Sequence, residues 1–495
     1  MKQIHTQRFR FFVFLIISMQ AFTFVKAQEV LTLESALEVA KLGSPDIQRA
    51  RLFLTQSREN LIARRASLKS SFRLNLTPCQ YNQNRQYNDL LSEWYNSESM
   101  NSYGSFTIHQ PIALTDGSIS LTNQLMYQDS KSTSSYSGPP FQGFSNNLSL
   151  SFDPPIFSYN RTKLELKELE YNLENAQINY ALQELSVERS VSSAFYQVYE
   201  AQMALNTSRE DFENRSESLN IIKNKVDADL VAREELFQAE VDWMTSRSNY
   251  QNQEVELANL KDRLKQLLGI ELDFDLEVAA EVKVSPVQVE LKDALDHALN
   301  SRLELRQRQI DLETGRFEII STKAMNEFRG NIGVDIGLFG ENEALERVFE
   351  KPKGNQSIGF SLEIPLWDWG EKKARQRAVE AAQNLREIND RDERINIILS
   401  VRQLHRNLNN LLAQIEIAEK NLENAELTYA INLEKYRNGD LTSMDLNLYQ
   451  NQLTQKKTDL IRAQISYKLE LLNLKIQTLY DFESGQSVVP DMQYY

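Results

Sequence analysis

Apolar and polar positions change period several times along this chain, and the changes mark its elements. In Ile358-Gly359-Phe360-Ser361-Leu362-Glu363-Ile364 the residues Ile358, Phe360, Leu362 and Ile364 fall on one face and Gly359, Ser361 and Glu363 on the other. Period two predicts a strand. Pro365 ends its ladder, having no N–H to donate. After Gly370 the sequence turns rich in Ala, Arg, Glu and Gln, with almost no breakers as far as Asn438-Gly439, which predicts a long helix. The same switch occurs earlier, at an offset of 210, in Leu148-Ser149-Leu150-Ser151-Phe152-Asp153-Pro154-Pro155-Ile156-Phe157, with Pro155 on Pro365 and Phe157 on Trp367. The chain therefore reads as two copies of one unit.

The repeat reaches the start of each half. Leu33, Ala36, Leu37 and Ala40 share a helical face, Gly43-Ser44-Pro45 breaks the helix, and a second helix follows to Ser67. Leu291, Ala294, Leu295 and Ala298 repeat that face at an offset of 258, which is 48 more than at the strand-to-helix switch. The first copy thus carries an insertion between its first strand and its switch. Two alternating runs, Tyr103–Ile108 and Ile119–Thr122, flank Thr115-Asp116-Gly117-Ser118 there. Asp-Gly between alternating runs predicts a hairpin, and two added strands return the chain to the side it left. Strands are expected at about 71–81, 103–113, 117–128 and 146–153 in the first copy and about 330–339 and 356–364 in the second. The polar stretches Asn82–Ser102, Gln128–Asn146 and Gly340–Gln356 read as loops at the far end of the strands.

Helices form the larger part, over 160–268 and 371–479, each stretch broken once, near Asp227-Ala228-Asp229 and near Asn438-Gly439-Asp440. Arms of ~45–65 residues make rods of roughly 70–100 Å at 1.5 Å per residue. Leu446, Leu453, Leu460, Tyr467 and Leu474 recur every seven residues, as do Leu236, Trp243, Tyr250, Leu257 and Leu264 in the first copy. A sustained heptad predicts coiled-coil packing. A second stripe, Ile461, Ile465, Leu469, Leu472 and Ile476, gives the helix neighbours on two sides, as in a ring of helices.

Lys2, Arg8 and Arg10 precede the apolar run Phe11 to Phe24 and then Val25-Lys26-Ala27, the pattern of a secretory signal peptide cut near Ala27. Removing it takes away Lys2, Arg8, Arg10 and Lys26, which moves the formal charge from −14 to −18. An acidic exported chain without a basic, aromatic-interleaved stripe is a poor nucleic-acid binder. Cys79 is the only cysteine and the four histidines are scattered, so neither an intrachain disulfide nor metal-ligand spacing is present, and no cofactor is expected. No nucleophile–base pair stands out either, so catalysis is not expected. No later stretch reaches ~18 consecutive apolar residues, so a membrane-embedded form of this chain is a β-barrel. The expected organisation is a signal peptide at 1–27, repeats at 28–269 and 289–480 joined by a linker at 270–288, and a polar tail at 481–495.

The chain resembles the TolC-like outer-membrane efflux proteins. The resemblance is carried by Leu33-Glu34-Ser35-Ala36-Leu37 with Ser44-Pro45-Asp46-Ile47, by Phe360-Ser361-Leu362-Glu363-Ile364-Pro365-Leu366 before Gly370, and by Tyr436-Arg437-Asn438-Gly439-Asp440-Leu441 leading into Asp445-Leu446. It implies a mainly α chain with a membrane β-barrel portion: a homotrimer in the outer-membrane lipid, its strands forming one barrel and its helices a periplasmic tunnel. A periplasmic adaptor and an inner-membrane pump complete the machine, and the function is a passive exit duct for efflux or type I secretion. Members usually contribute four strands each; the extra hairpin makes six here, or packs as a plug or outside the wall. Carried over by position, the adaptor-contacting tips are Ala228, Asp229, Leu230 and Asn438, Gly439, Asp440, and the periplasmic gate falls on Asp445. Three copies of Asp445 about an axis make a cation-attracting ring; an aspartate favoured in a helix's first turn is the plainer reading. Phe157, Tyr159, Trp367 and Trp369 stand where strands leave the membrane, either as an aromatic girdle or as packing at the sheet–helix joint. The alternative function is a structural coiled-coil protein spanning the periplasm.

Overall fold

A computed structural model describes residues 30–489 except 90, 91, 133–140, 281, 283, 439 and 442. The expected signal peptide and the tail from residue 490 lie outside the described residues, as does Gly439. Eight α-helices are described: α1 Leu33–Gly43, α2 Pro45–Ser67, α3 Arg161–Asp227, α4 Arg233–Leu268, α5 Leu291–Ser301, α6 Leu303–Lys323, α7 Glu371–Arg437 and α8 Ser443–Thr478. Both ends of α7 and of α8 match those of α3 and α4 at the offset of the strand-to-helix switch, and the start of α5 matches that of α1 at the larger offset. The arms are less equal than the sequence suggests, 67 residues for α3 and α7 against 36 for α4 and α8, or about 100 Å against about 54 Å. None of the described helices is long and apolar enough to cross a membrane.

The heptad seam closes with distance from the tips. Leu236, Trp243 and Tyr250 on α4 and Leu446, Leu453 and Leu460 on α8 are half-buried, whereas Leu257, Leu264, Tyr467 and Leu474 are buried. There the long helices meet the short ones, in cores that include Ala36, Ile47, Phe195 and Leu268 in the first half and Ala294, Ile397 and Val401 in the second. Ile465 of α8 packs into the first-half core, so the halves share apolar surface. At the base of this region α1 and α4 end against each other: a Cβ on Gly269 (φ +72°) would lie 2.0 Å from the Gly43 carbonyl oxygen, so only glycine fits. The linker is strapped down, with β1 (Val30–Leu31) pairing in parallel with β7 (Glu277–Val278), Val287 N donating to the Tyr467 hydroxyl (3.0 Å) and His405 Nε2 lying 3.0 Å from the Val289 carbonyl oxygen. The expected polar tail starts with a small hairpin, β10 (Tyr480–Asp481) on β11 (Gln486–Ser487), that stacks Tyr480 on His297 at 4.0 Å.

The remaining strands are β2 Ser71–Asn88, β3 Glu93–Ile112, β4 Gly117–Ser132, β5 Phe141–Asp153, β6 Pro155–Ile156, β8 Arg329–Asn342 and β9 Lys353–Glu363. They form one antiparallel sheet in the order β2-β3-β4-β5-β8-β9, with β6 continuing β5 along β8. The start of β8 matches that of β2 at the larger repeat offset, and the end of β9 matches that of β5 at the smaller one. The insertion is therefore the β3–β4 hairpin, and it lies within the sheet rather than beside it. Two of the expected loops are corrected: most of Asn82–Ser102 and of Gln128–Asn146 is ladder, as in Gln83↔Glu98 and Gln128↔Gly143. Polar side chains there hide the strand signal, while backbone pairing satisfies the chain regardless of side-chain polarity. In the third expected loop, only the stretch between β8 and β9 lies outside the strands.

Candidate functional site

Three places carry the chemistry expected of this chain: the wall, the joint and the tips. In an antiparallel pair, directly opposed residues share a face, so the register fixes which side chains lie together. One face runs through Phe72, Leu74 and Leu76 of β2, Phe106 and Ile108 of β3, Ile119, Leu121 and Leu125 of β4, Leu148, Leu150 and Phe152 of β5, Val334, Ile336 and Leu338 of β8 and Ile358 and Phe360 of β9. Phe72 stacks on Phe106 at 6.5 Å across β2–β3, and Tyr127 meets Phe144 at 5.1 Å across β4–β5. The opposite face carries Arg73, Asn75, Thr107, His109, Ser120, Thr122, Ser149, Ser151, Asp335, Ser357 and Ser361. Its hydroxyls bond across strands, Thr107 to Thr122 (3.2 Å) and His109 Nδ1 to Ser120 (2.9 Å). The apolar face lies exposed, the reverse of a soluble chain, with Leu74 63%, Ile336 49% and Phe360 62% exposed.

At the joint the two copies start their long helices by different means. In the second copy Asp368 caps α7, its carboxylate accepting from Gly370 N (2.9 Å) and Lys372 N (3.1 Å). These two backbone donors, in that order, hold its carboxyl below the usual aspartate range. In the first copy Asn160 accepts from Lys163 N (2.7 Å) and donates to the Ala113 and Leu114 carbonyls in the β3–β4 turn. From that turn Asp116, in the left-handed region at φ +57°, accepts from Arg161 N (3.3 Å), Thr162 N (3.0 Å) and the Thr162 hydroxyl. The sequence picked out Asp116 as a turn residue and missed its second task, because the helix it caps begins far downstream, past β4, β5 and β6.

The four girdle candidates divide at this joint. Trp367 and Trp369 are 75% and 91% exposed and meet edge to face at 5.8 Å, so neither is packing in the joint of this chain. Phe157 touches Phe328 at 5.4 Å, and Tyr159 is half-buried.

The tips match each other in backbone. Leu230 N donates to Lys225 O at 2.8 Å and Asp440 N to Lys435 O at 2.9 Å, the long closing bond of a helix end, which at the first tip goes with a left-handed penultimate residue. Asp229 takes that conformation at φ +55° without being glycine. Ala228 caps the end of α3 and Leu230 is 72% exposed. Asn438 and Asp440 are exposed, while Gly439 lies outside the described residues. Asp445 is exposed in the first turn of α8, and Leu448 one turn on is 54% exposed. Glu235, in the first turn of α4, occupies the position in the first copy that matches Asp445 in the second. The smaller repeat offset alone points to it in the sequence.

A family model described as outer membrane efflux protein matches residues 118–270 and 294–476. Among solved structures, the CmeC outer membrane channel of Campylobacter jejuni superposes with a TM-score of 0.69 at 14% identity, over 93% of this chain and 88% of that one. The MtrE outer membrane channel of Neisseria gonorrhoeae, in its open state, gives 0.64 at 14% identity over 93% and 90%. The outer membrane protein VceC of Vibrio cholerae gives 0.63 at 14% identity over 92% and 96%. At these identities the likeness is one of fold. Among curated proteins none matches. Together with the matched segments, which span most of the chain, the shared strand-to-helix switch and the twofold repeat of long helices make this chain a member of the outer membrane efflux protein family.

Proposed function

We propose that three copies of this chain assemble into a passive duct through the outer membrane and the periplasm, docked at its helical tips on a periplasmic adaptor and fed by an inner-membrane pump. The observation that carries this is the sheet, which buries neither of its faces and, among the described residues, leaves both edges, β2 and β9, unpaired. From Phe144 to Phe152 the apolar face spans about 27 Å along the strand, or about 21 Å along a normal at a tilt of ~40°. A bilayer-facing barrel band is ~25 Å tall. A sheet of that height with free edges needs lipid on one side and further strands at its ends.

The helices call for the same assembly. On α4 and the tip before it, Leu230, Phe237, Val241, Met244 and Val255 follow one another at or near helical spacing, all more than half exposed; on α7, Leu385, Ile388, Ile395 and Leu399 do likewise, close to half exposed or more. Such stripes in a periplasmic rod are covered by neighbouring helices. Trp367 and Trp369, free of the joint, suit the membrane boundary. The tips Ala228–Leu230 and Asn438–Asp440 are the surfaces offered to an adaptor, and Asp445, with Glu235 as its counterpart in the repeat, lies one turn inside. The alternative, a structural coiled coil, leaves the apolar band without a role.

The test is conductance of the purified protein in planar bilayers together with its mass in detergent. A trimer that conducts ions is the expected result; a monomer without conductance overturns the reading. Asp445→Ala is expected to lower cation preference, since three carboxylates would otherwise line the entrance. Unchanged single-channel behaviour removes Asp445 from the gate.

A further inference from the structure

The β3–β4 hairpin sets the size of the wall. Resting on the trimeric reading above, we infer that the assembled barrel has eighteen strands, six from each chain, and that it closes by pairing β9 of one copy with β2 of the next in the register that β5 already makes with β8.

Three independent observations place the hairpin in the wall. First, hydrogen-bonded pairing runs without a gap from β2 through β3 and β4 to β5, from Ser71↔His109 to Ile119↔Phe152. Second, the two faces of the hairpin continue those of its neighbours. Phe106 and Ile108 lie opposite Leu74 and Phe72, and Leu121 lies opposite both Ile108 and Leu150. Thr107, His109, Ser120 and Thr122 continue the polar face. Asn123, a polar side chain on the apolar face, is paired across the β4–β5 ladder, donating to Asn146 at 3.0 Å. A plug would need polar surface on both sides, and a hairpin outside the wall would need its apolar face turned to protein. Third, the hairpin turn is bonded into the start of α3 through Asp116 and Asn160, which fixes its lower end at the rim where the wall meets the tunnel.

The closing register follows from the repeat. Within one chain the halves join by β5 on β8, with Phe152 opposite Val334 and Leu150 opposite Ile336. The counterpart of β5 in the second copy is β9, and the counterpart of β8 in the first copy is β2, each at the offset already found for its ends. Carrying Phe152↔Val334 over puts Leu362 of one copy opposite Leu76 of the next. Both belong to the apolar face, both are exposed (44% and 67%), and the two edges run antiparallel. With strands ~4.8 Å apart and tilted ~40°, eighteen strands enclose a backbone cylinder about 36 Å across, against about 24 Å for twelve. The difference leaves a wide aqueous lumen at the outer end while the helical tunnel below is unchanged in helix number.

The experiment has two arms. Electron cryomicroscopy of the wild-type protein in lipid nanodiscs counts strands; eighteen is expected. In a Cys79→Ser background, the pair Leu76→Cys with Leu362→Cys should oxidise to dimer and trimer bands that reduction collapses to monomer. The shifted pair Phe72→Cys with Leu362→Cys should not, because opposite edges of one chain's sheet cannot meet and an offset of four positions along the strand exceeds disulfide reach. A trimer with twelve strands, or crosslinking of the shifted pair in place of the first, overturns the inference and leaves the trimeric channel standing. A protein that forms no trimer in either arm overturns both.

Discussion

Asp116 offers the sharpest test of how wall and tunnel are joined. Its carboxylate receives two backbone N–H groups and a hydroxyl from the first residues of α3, donors that have no partner inside the helix. Truncation to alanine removes an N-terminal cap, about 1–2 kcal/mol for a partly exposed carboxylate. It also forces alanine into φ +57°, which costs about a further 1 kcal/mol. Asp116→Ala should therefore destabilise the joint by about 2–3 kcal/mol, Asp116→Gly by about 1–2 because glycine removes the backbone strain, and Asp116→Asn by less than about 1 because it keeps an acceptor and tolerates the left-handed region. Hydrogen exchange read by mass spectrometry on peptides covering 158–166 reports this local opening. At tenfold per 1.4 kcal/mol, exchange should quicken roughly 30- to 140-fold for alanine, by roughly 5- to 30-fold for glycine and only slightly for asparagine. The order alanine, glycine, asparagine is the prediction. Equal rates in all three, or an effect confined to 113–120 with the helix start unchanged, would refute the capping role.

The other predictions concern pH and the tips. Asp368 has a carboxyl held low in the folded state by the backbone donors Gly370 and Lys372, so its stabilisation is present above the ordinary aspartate range and lost as pH falls through the folded value; Asp368→Ala should lower the thermal midpoint at pH 7, with the gap to wild type closing on acidification. Glu200, half-buried on α3, has a carboxyl raised by burial, with Arg462 opposing. Its sign is opposite: the penalty is absent below the ordinary glutamate range and grows as pH rises through the folded value, so Glu200→Gln should raise the midpoint near pH 8 and not near pH 4. Asp229→Val puts a β-branched residue at φ +55° and should cost about 1–2 kcal/mol, seen as roughly tenfold faster protease cleavage at the α3–α4 tip; Asp229→Gly cleaved as fast as Asp229→Val would show that backbone strain is not the cause.

What was legible in the sequence follows from what repeats and what is local. The smaller repeat offset located both long hairpins because it carries Pro155 onto Pro365 and every heptad position onto its counterpart. The strands were legible only as far as the bilayer imposes alternation. Beyond Leu76 and before Tyr103 the residues Gln83, Asn84, Ser97 and Ser99 sit in a ladder that nothing in their polarity requires. The heptads read as one continuous seam, yet it is closed only near Leu257–Leu264 and Tyr467–Leu474, because near the tips one chain supplies too few helices to cover its own stripes. The proposed roles at the gate and the girdle would depend on neighbouring copies and lipid, which no pattern within one chain encodes.

The two copies of the joint also explain how the inserted hairpin was accommodated. The position in the first copy that matches Asp368 is Ser158, so the first copy lacks the carboxylate that caps α7 in the second. Its substitute, Asp116, comes from the turn of the inserted hairpin. The left-handed residue moves as well, from Trp369 (φ +53°) in the second copy to Phe157 (φ +59°) in the first. Both solutions present oxygen acceptors to the first free N–H groups of a 67-residue helix, one from the residues just before the helix and one from across the sheet. A hairpin that supplies this cap is coupled to the tunnel below it. Removing β3 and β4 would not simply restore a four-stranded chain: it would leave Arg161 and Thr162 without the acceptors that Asp116 provides, at the point where α3 carries its load. The insertion and the cap exchange are therefore a single change, and the wider wall is held to the tunnel by the same turn that widened it.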